Sequence, residues 1–229
     1  MNLLTASLAP VFIVIIFIYI KDKFEKESKR LLFKNFLLGA IASVLISVVL
    51  YTIYNNYAPQ SNKFSVLEQF FKAFFVVALI EEFSKYVIIR YYSQRKNAYN
   101  EPFDGIIYAV MVSMGFAAVE NIYYVLEGGM SVAILRAVTA IPAHATFAII
   151  MGYFMGKAKF TNQKAKWNLI GLFSAILFHG TYDFFLFINF IPGIMIWAFI
   201  SLLIGVILSS KAIKLHQQNS FFKVKKPVQ

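Results

Sequence analysis

The chain contains no cysteine. That absence excludes disulfides, cysteine-ligated zinc and thiol nucleophiles, so any metal site must draw on His, Asp, Glu or Asn. Charge is scarce as well: Asp, Glu, Lys and Arg make up 14% of the 229 residues. Acids are the rarer sign, 11 against 22 Lys plus Arg, for a net charge of +11. Apolar residues fill the space that charge leaves. Some 59% of the chain is hydrophobic and 17% aromatic, with a mean hydropathy of +0.67. A soluble domain of this length needs far less apolar surface, so the composition is that of a polytopic membrane protein. The positive balance does not point to nucleic acid. The basic residues cluster in short loops between apolar runs, where membrane topology accounts for them.

Seven apolar runs, at about 3–20, 31–54, 64–92, 104–126, 132–156, 167–188 and 192–210, predict an all-α bundle of about seven transmembrane helices. No Lys or Arg precedes the first run and no small-residue cleavage site ends it, so it reads as a retained helix. Basic residues alternate from loop to loop. Lys21, Lys23, Lys26, Lys29 and Arg30 follow the first run; Arg95 and Lys96 follow the third; Lys157, Lys159, Lys164 and Lys166 follow the fifth. Lys211, Lys214, Lys223, Lys225 and Lys226 close the chain, whereas the intervening loops hold only Lys63. The positive-inside rule then puts the N-terminus outside and the C-terminus in the cytoplasm of a multi-pass plasma-membrane protein. Residues 1–210 read as one membrane domain and 211–229 as a basic cytoplasmic tail. The sequence has no internal repeat, and its loops are too short to hold a soluble domain, so the chemistry must lie in the membrane.

Charged groups inside the apolar runs are few. The third run carries Glu81, Glu82 and Lys85, the fourth Glu120 and Asn121. The fifth carries Arg136 and His144, the sixth His179 and Asp183; His216 lies in the tail. A charge at bilayer depth costs roughly 2.5 to 3.5 kcal/mol on insertion scales, so it persists only when paired, hydrated or bound. Lys85 stands one helical turn beyond both Glu81 and Glu82 and can neutralise one of them, leaving about one negative charge. Counted from the cytoplasmic ends of their runs, Glu81, His144 and His179 all lie about 11 to 12 residues in, roughly 17 Å at the α-helical rise.

One layer thus holds a glutamate pair and two imidazoles from three helices. Two imidazoles and one carboxylate are a catalytic zinc set with a fourth position left for water, here Glu81, His144 and His179. Either Glu81 or Glu82 can serve as the base that takes the proton from that water. Asp183, one turn beyond His179, can orient the imidazole or bind the metal itself. Pro142 lacks a backbone donor and can open the helix before His144. Asn121 can help stabilise the oxyanion. Simpler roles fit other residues. Arg136 and the Glu68/Lys72 pair read as interface anchors, and Glu120-Asn121 reads equally well as a buried carboxylate paired with Lys85 or Arg136.

Five motifs in order carry a family resemblance. They are Glu81-Glu82-x-x-Lys85, Phe103-Asp104-Gly105-Ile106-Ile107-Tyr108, Gly115-Phe116-Ala117 running to Glu120-Asn121, His144, and His179-Gly180-x-Tyr182-Asp183. Together they resemble the PrsW family of intramembrane proteases, within the wider group that includes the type II CAAX prenyl endopeptidases. The match extends from Ala9-Pro10 through Gly156-Lys157-Ala158 to the sixth run; residue 109 is Ala where the family pattern has Gly. The resemblance implies a membrane-embedded peptidase whose catalytic residues are Glu81, Glu82 and His179, then His144, Asp183 and Glu120. It also implies a membrane-embedded protein substrate: characterised relatives make the first cut in a membrane-bound anti-sigma factor. The rival class is a proton- or ion-coupled transporter, which would also place Glu, Lys and His at midplane. Against it, the sequence shows no inverted repeat.

Overall fold

A computed structural model describes residues 2–58 and 62–223, so Lys225 and Lys226 of the basic tail lie outside the described residues. The fold is all helical, with no strand among the described residues. In chain order the helices are α1 (Leu3–Lys21), α2 (Lys29–Leu38), α3 (Val44–Tyr57), α4 (Val66–Phe71), α5 (Leu79–Tyr91), α6 (Phe103–Val138), α7 (Ala140–Lys159), α8 (Lys164–Phe187) and α9 (Ile196–Gln218). Side-chain caps start three of them: Asn2, Ser28 and Ser65 accept from the backbone N–H three residues on. Wider π-helical turns at Gly39–Ser43 join α2 to α3 without a break, and others at Lys72–Ala78 join α4 to α5.

Five helical runs among the described residues are long and apolar enough to cross a membrane: Leu3–Lys21, Lys29–Tyr57, Phe103–Lys159, Lys164–Phe187 and Ile196–Gln218. The protein is thus a multi-pass membrane protein, although the count of about seven is not reproduced. Two features explain the difference. The α4–α5 run carries Glu81, Glu82 and Lys85, too much charge to register as a span, and Phe103–Lys159 bends back on itself. The bend is at Gly129, whose φ of 72° suits glycine, and a second break falls at Thr139. Residues 130–138 therefore form a returning leg of α6 and not the start of the next helix. Pro142 falls in the first turn of α7, where its missing N–H breaks no helical bond. It does not open the helix, as its place before His144 suggests.

The buried face of α6 runs from Phe103 to Ala118, with α1, α2 and α7 packed around it. Glycines set how closely they approach. A Cβ added at Gly105 would lie 2.4 Å from the Gly152 carbonyl oxygen and 2.5 Å from the Gly156 nitrogen, so α6 and α7 touch backbone to backbone. Across the helix, a Cβ at Gly115 would meet the Phe36 carbonyl oxygen at 2.0 Å. Ala109 is fully buried at the same α6–α7 contact, with its Cβ facing Gly152. The outer faces of α1, α3 and α9 are apolar, as lipid requires; Ile13, Val48 and Leu203 are more than half exposed. Helix α9 continues through position 210 to Gln218, so the boundary between domain and tail falls inside a helix. There His216 is buried, stacks on Tyr153 and bonds its carbonyl, which is a packing role.

Candidate active site

Helix α5 supplies the centre of the site. Its spacing puts Lys85 beneath both glutamates: Nζ lies 2.7 Å from Glu82 Oε1 and 3.6 Å from Glu81 Oε2. Lys85 is 1% exposed and sits over the Phe116 ring, 4.4 Å from its centroid. The two glutamates differ in surroundings. Glu82, 1% exposed, has its Oε1 shared between Lys85 and His179 Nδ1, the latter at 2.9 Å. Glu81 accepts from the Tyr51 hydroxyl at 3.2 Å through Oε1, and its Oε2 is buried with no hydrogen-bond donor.

Behind Glu81 a serine cluster ties α5 to the α2–α3 helix. The Ser84 hydroxyl donates to the Glu81 carbonyl at 2.7 Å and lies 2.7 Å from Ser43 Oγ; Ser47 donates to it at 3.0 Å. These three small residues let the two helices approach and fix the backbone that carries Glu81.

The histidines reach the site from α7 and α8. His144 Nε2 lies 2.8 Å from Glu120 Oε2, and its Nδ1 is 3.4 Å from Lys85 Nζ. His179 stands between two carboxylates, with Nδ1 toward Glu82 and Nε2 3.3 Å from Asp183 Oδ2. The Phe147 ring stacks on it, 4.9 Å between centroids, and fixes its plane. The two imidazole centroids are 5.7 Å apart. Glu81, Glu82, His144, His179, Asp183 and Glu120 therefore come together around one point. Asn121 does not face it: its amide donates to the Ser7 carbonyl of α1 at 2.7 Å, and its oxygen accepts from Arg136 Nε at 2.7 Å.

Sequence reasoning made Arg136 an interface anchor, and that assignment is corrected. The returning leg of α6 brings its Nη2 2.8 Å from Glu120 Oε2, so it is a partner of the site. The pairing of Glu120 with Arg136, one of the two partners the sequence offers, is the one the fold forms directly. Tyr51, Ser43, Ser47 and Ser84 carried no signal, because hydroxyl residues are unexceptional in apolar helices. The aromatic plate at Phe147 was equally silent.

A cavity of about 820 Å³ opens onto the site. Glu81, Glu120, His144, His179 and Asp183 line it, with Tyr51, Tyr123 and Tyr182 among an otherwise largely apolar wall. Glu82 lies behind that wall. Glu81, Glu120 and His144 each offer a donor atom, all within 4.8 Å of one another. This trio differs from the expected Glu81, His144 and His179, because both nitrogens of His179 already face carboxylates. A cation suits the trio on two grounds. Glu81 Oε2 is a buried acceptor without a donor. Four carboxylates also meet two fixed cations here, Lys85 and Arg136, leaving two negative charges for a divalent ion or protonated imidazoles to balance.

Such a buried cluster of acids and imidazoles facing a cavity inside a helical membrane protein is the equipment of an intramembrane hydrolase. The profile described as "PrsW family intramembrane metalloprotease" matches residues 27–209. The chain belongs to the PrsW family of intramembrane proteases. Protease PrsW of Oceanobacillus iheyensis is 38% identical over 187 residues, covering 81% of this chain and 83% of the relative. Protease PrsW of Clostridioides difficile is 34% identical over 216 residues, 91% and 87% of the two chains. That of Bacillus subtilis is 31% identical over 186 residues, 80% and 82%. No solved structure matches the chain.

Proposed function

We propose that this protein is a glutamate-dependent, zinc-using peptidase that makes the first cut in a membrane-bound anti-sigma factor or a similar single-span protein. The observation that carries this reading is Glu81. It faces the cavity with one oxygen held by Tyr51 and the other free of protein donors, beside Glu120 and His144. Glu120 and His144 would hold the zinc, with the Glu81 carboxylate beside it. Bound there, zinc supplies Lewis acidity, polarising the scissile carbonyl and easing loss of a proton from water.

The chain's own residues have distinct tasks. The Glu81 carboxylate, which lines the cavity, accepts the proton of the attacking water. Glu82 is a positioning residue: its buried Oε1 holds Lys85 and His179 together. A proton on His179 Nε2, beside cavity-lining Asp183, is the one within reach of a departing amine. Arg136 holds the Glu120 carboxylate in place. The apolar walls keep bulk water from the peptide bond and favour a helix-forming substrate that has locally unwound. The loop charges support an outside N-terminus and a cytoplasmic C-terminus, with residues 1–210 as the protease domain.

Purified protein in detergent, mixed with single-span test proteins, gives the test. Cleavage by the wild type and none by Glu81→Gln is the expected result. Ion or solute flux in vesicles, with no cleavage of any test protein, would replace this reading with a transporter.

A further inference from the structure

Lys72 lies in the same cavity as the catalytic cluster, and the chemistry above gives it no task. It is half-buried, with Nζ 5.4 Å from the centre of the Phe187 ring. Among the described residues no carboxylate comes within ion-pair distance of it. Sequence reasoning paired it with Glu68, but Glu68 instead accepts from the Asn62 backbone N–H at 2.5 Å. The other cavity cation, Arg136, is already paired with Glu120. Lys72 is thus an unmatched ammonium on a partly apolar wall, where a complementary anion gains most.

Its position follows from the helix around it. Lys72 precedes Glu81 by about two and a half α-helical turns, which in a regular α-helix would put the two on opposite faces. The π-helical turns at Lys72–Ala78 are wider and use up less rotation per residue. Both side chains consequently line one cavity, about 13 Å apart along the axis at the α-helical rise. A chain in extended conformation covers that distance in about four residues.

We propose that Lys72 is a specificity subsite, which receives an acidic side chain of the substrate about four residues from the scissile bond. This rests on the peptidase reading above and deepens it. The substrate class it names is a single-span protein with Asp or Glu just beyond the cleaved segment, on the side of the site where Lys72 lies.

Binding tests it without relying on turnover. Glu81→Gln protein in detergent is titrated with a set of fluorescent single-span peptides, identical except for one Asp moved residue by residue along the juxtamembrane segment. A peptide with Asp at one register should bind about tenfold more tightly than its Asn counterpart, the discrimination of one partly buried charge pair. Adding Lys72→Met should erase that preference, and Lys72→Glu should transfer it to the peptide with Lys at the same register. Equal binding of acidic and neutral peptides, or a preference that survives Lys72→Met, overturns the subsite. So does an absence of binding by every acidic peptide. A loss that is the same for acidic and neutral peptides, with weaker binding to vesicles of anionic phospholipid, makes Lys72 a lipid contact and also overturns it. Failure of the peptidase reading is seen separately, as wild-type protein that cleaves none of these peptides.

Discussion

Arg136 Nη2 rests 2.8 Å from Glu120 Oε2 although both belong to one helical element and stand 16 residues apart. On a straight helix that separation is about 24 Å. The reversal at Gly129 removes it and returns the guanidinium to the carboxylate, with Asn121 held by the same side chain. Replacing Arg136 with Met should leave Glu120 without its fixed counter-charge. The pair is partly exposed, at 15% and 22% for the two side chains, so its loss costs about 1 kcal/mol. Expected are a lower unfolding temperature in detergent and a loss of cleavage, with Lys in place of Arg recovering the first better than the second, because it cannot reach both Glu120 and Asn121.

The two adjacent glutamates should separate by mutation. Glu81→Gln should lower cleavage by roughly 10²- to 10⁴-fold, the range for a general base. Its thermal stability should fall less than that of Glu82→Gln, since Glu81 Oε2 has no hydrogen-bond donor and lies 3.6 Å from Lys85 Nζ, against 2.7 Å for Glu82 Oε1. Glu82→Gln should cost stability as well, because Lys85 and His179 both lean on that carboxylate. Similar unfolding temperatures for the two variants would refute the division of roles.

Tyr51→Phe isolates one hydrogen bond. Its hydroxyl touches Glu81 at 3.2 Å and leaves the rest of the ring in the cavity wall. A bond to a charged group contributes about 1.5 to 3 kcal/mol. Turnover should therefore fall roughly tenfold or more while substrate affinity stays near wild type; an unchanged rate would mean that Tyr51 only fills space.

Zinc content gives an independent readout. Metal analysis of protein purified in detergent should find about one zinc per chain, and His144→Ala and Glu120→Gln should each lose most of it. His179→Ala should retain it, because His179 is taken up by Glu82 and Asp183. Loss of zinc in the His144 and His179 variants but not in Glu120→Gln would favour the set expected from sequence, Glu81, His144 and His179.

A pH effect should come from outside the spans. Burial pushes the carboxyls of Asp22 and Glu27, in the loop between α1 and α2, above their ordinary values of 3.8 and 4.5, and it does the same to Glu101 ahead of α6. Below their unfolded values these groups are protonated in both states and cost nothing. As pH rises the unfolded chain loses its protons first, so stability falls until the folded groups ionise too. Asp22→Asn and Glu27→Gln should each raise the unfolding temperature near neutral pH and flatten its decline from about pH 4 upward. A decline as steep as in the wild type would place the cause elsewhere.

Much of the site could be read from the chain because charge inside an apolar run has few innocent uses. Glu81, Glu82 and Lys85 stood out on that ground, as did His144 and His179, and Asp183 followed from its spacing to His179. The depth count anticipated their convergence, since helices of similar length crossing one bilayer share a midplane. Arg136 escaped because its role depends on the direction the chain takes after Gly129, and glycine in a loop-like Gly128-Gly129 pair does not announce a returning helix. Tyr51 and the Ser43–Ser47–Ser84 cluster escaped because their contacts are between helices, and no local pattern marks them. The π-helical turns have no marker in Lys-Ala-Phe-Phe-Val-Val-Ala either, because that run is as apolar as the regular helices around it.

Those turns make the register of recognition separable from the register of chemistry. A wide turn is what a helix shows when one residue too many is fitted into its length. Losing a single codon among residues 73–77 would let the stretch close into regular α-helix, leaving Glu81, Glu82 and Lys85 in their mutual spacing while swinging the segment from Phe64 to Lys72 to a different side. A lineage could thus change which substrates it admits by one in-frame deletion, with no substitution at any residue that touches the scissile bond.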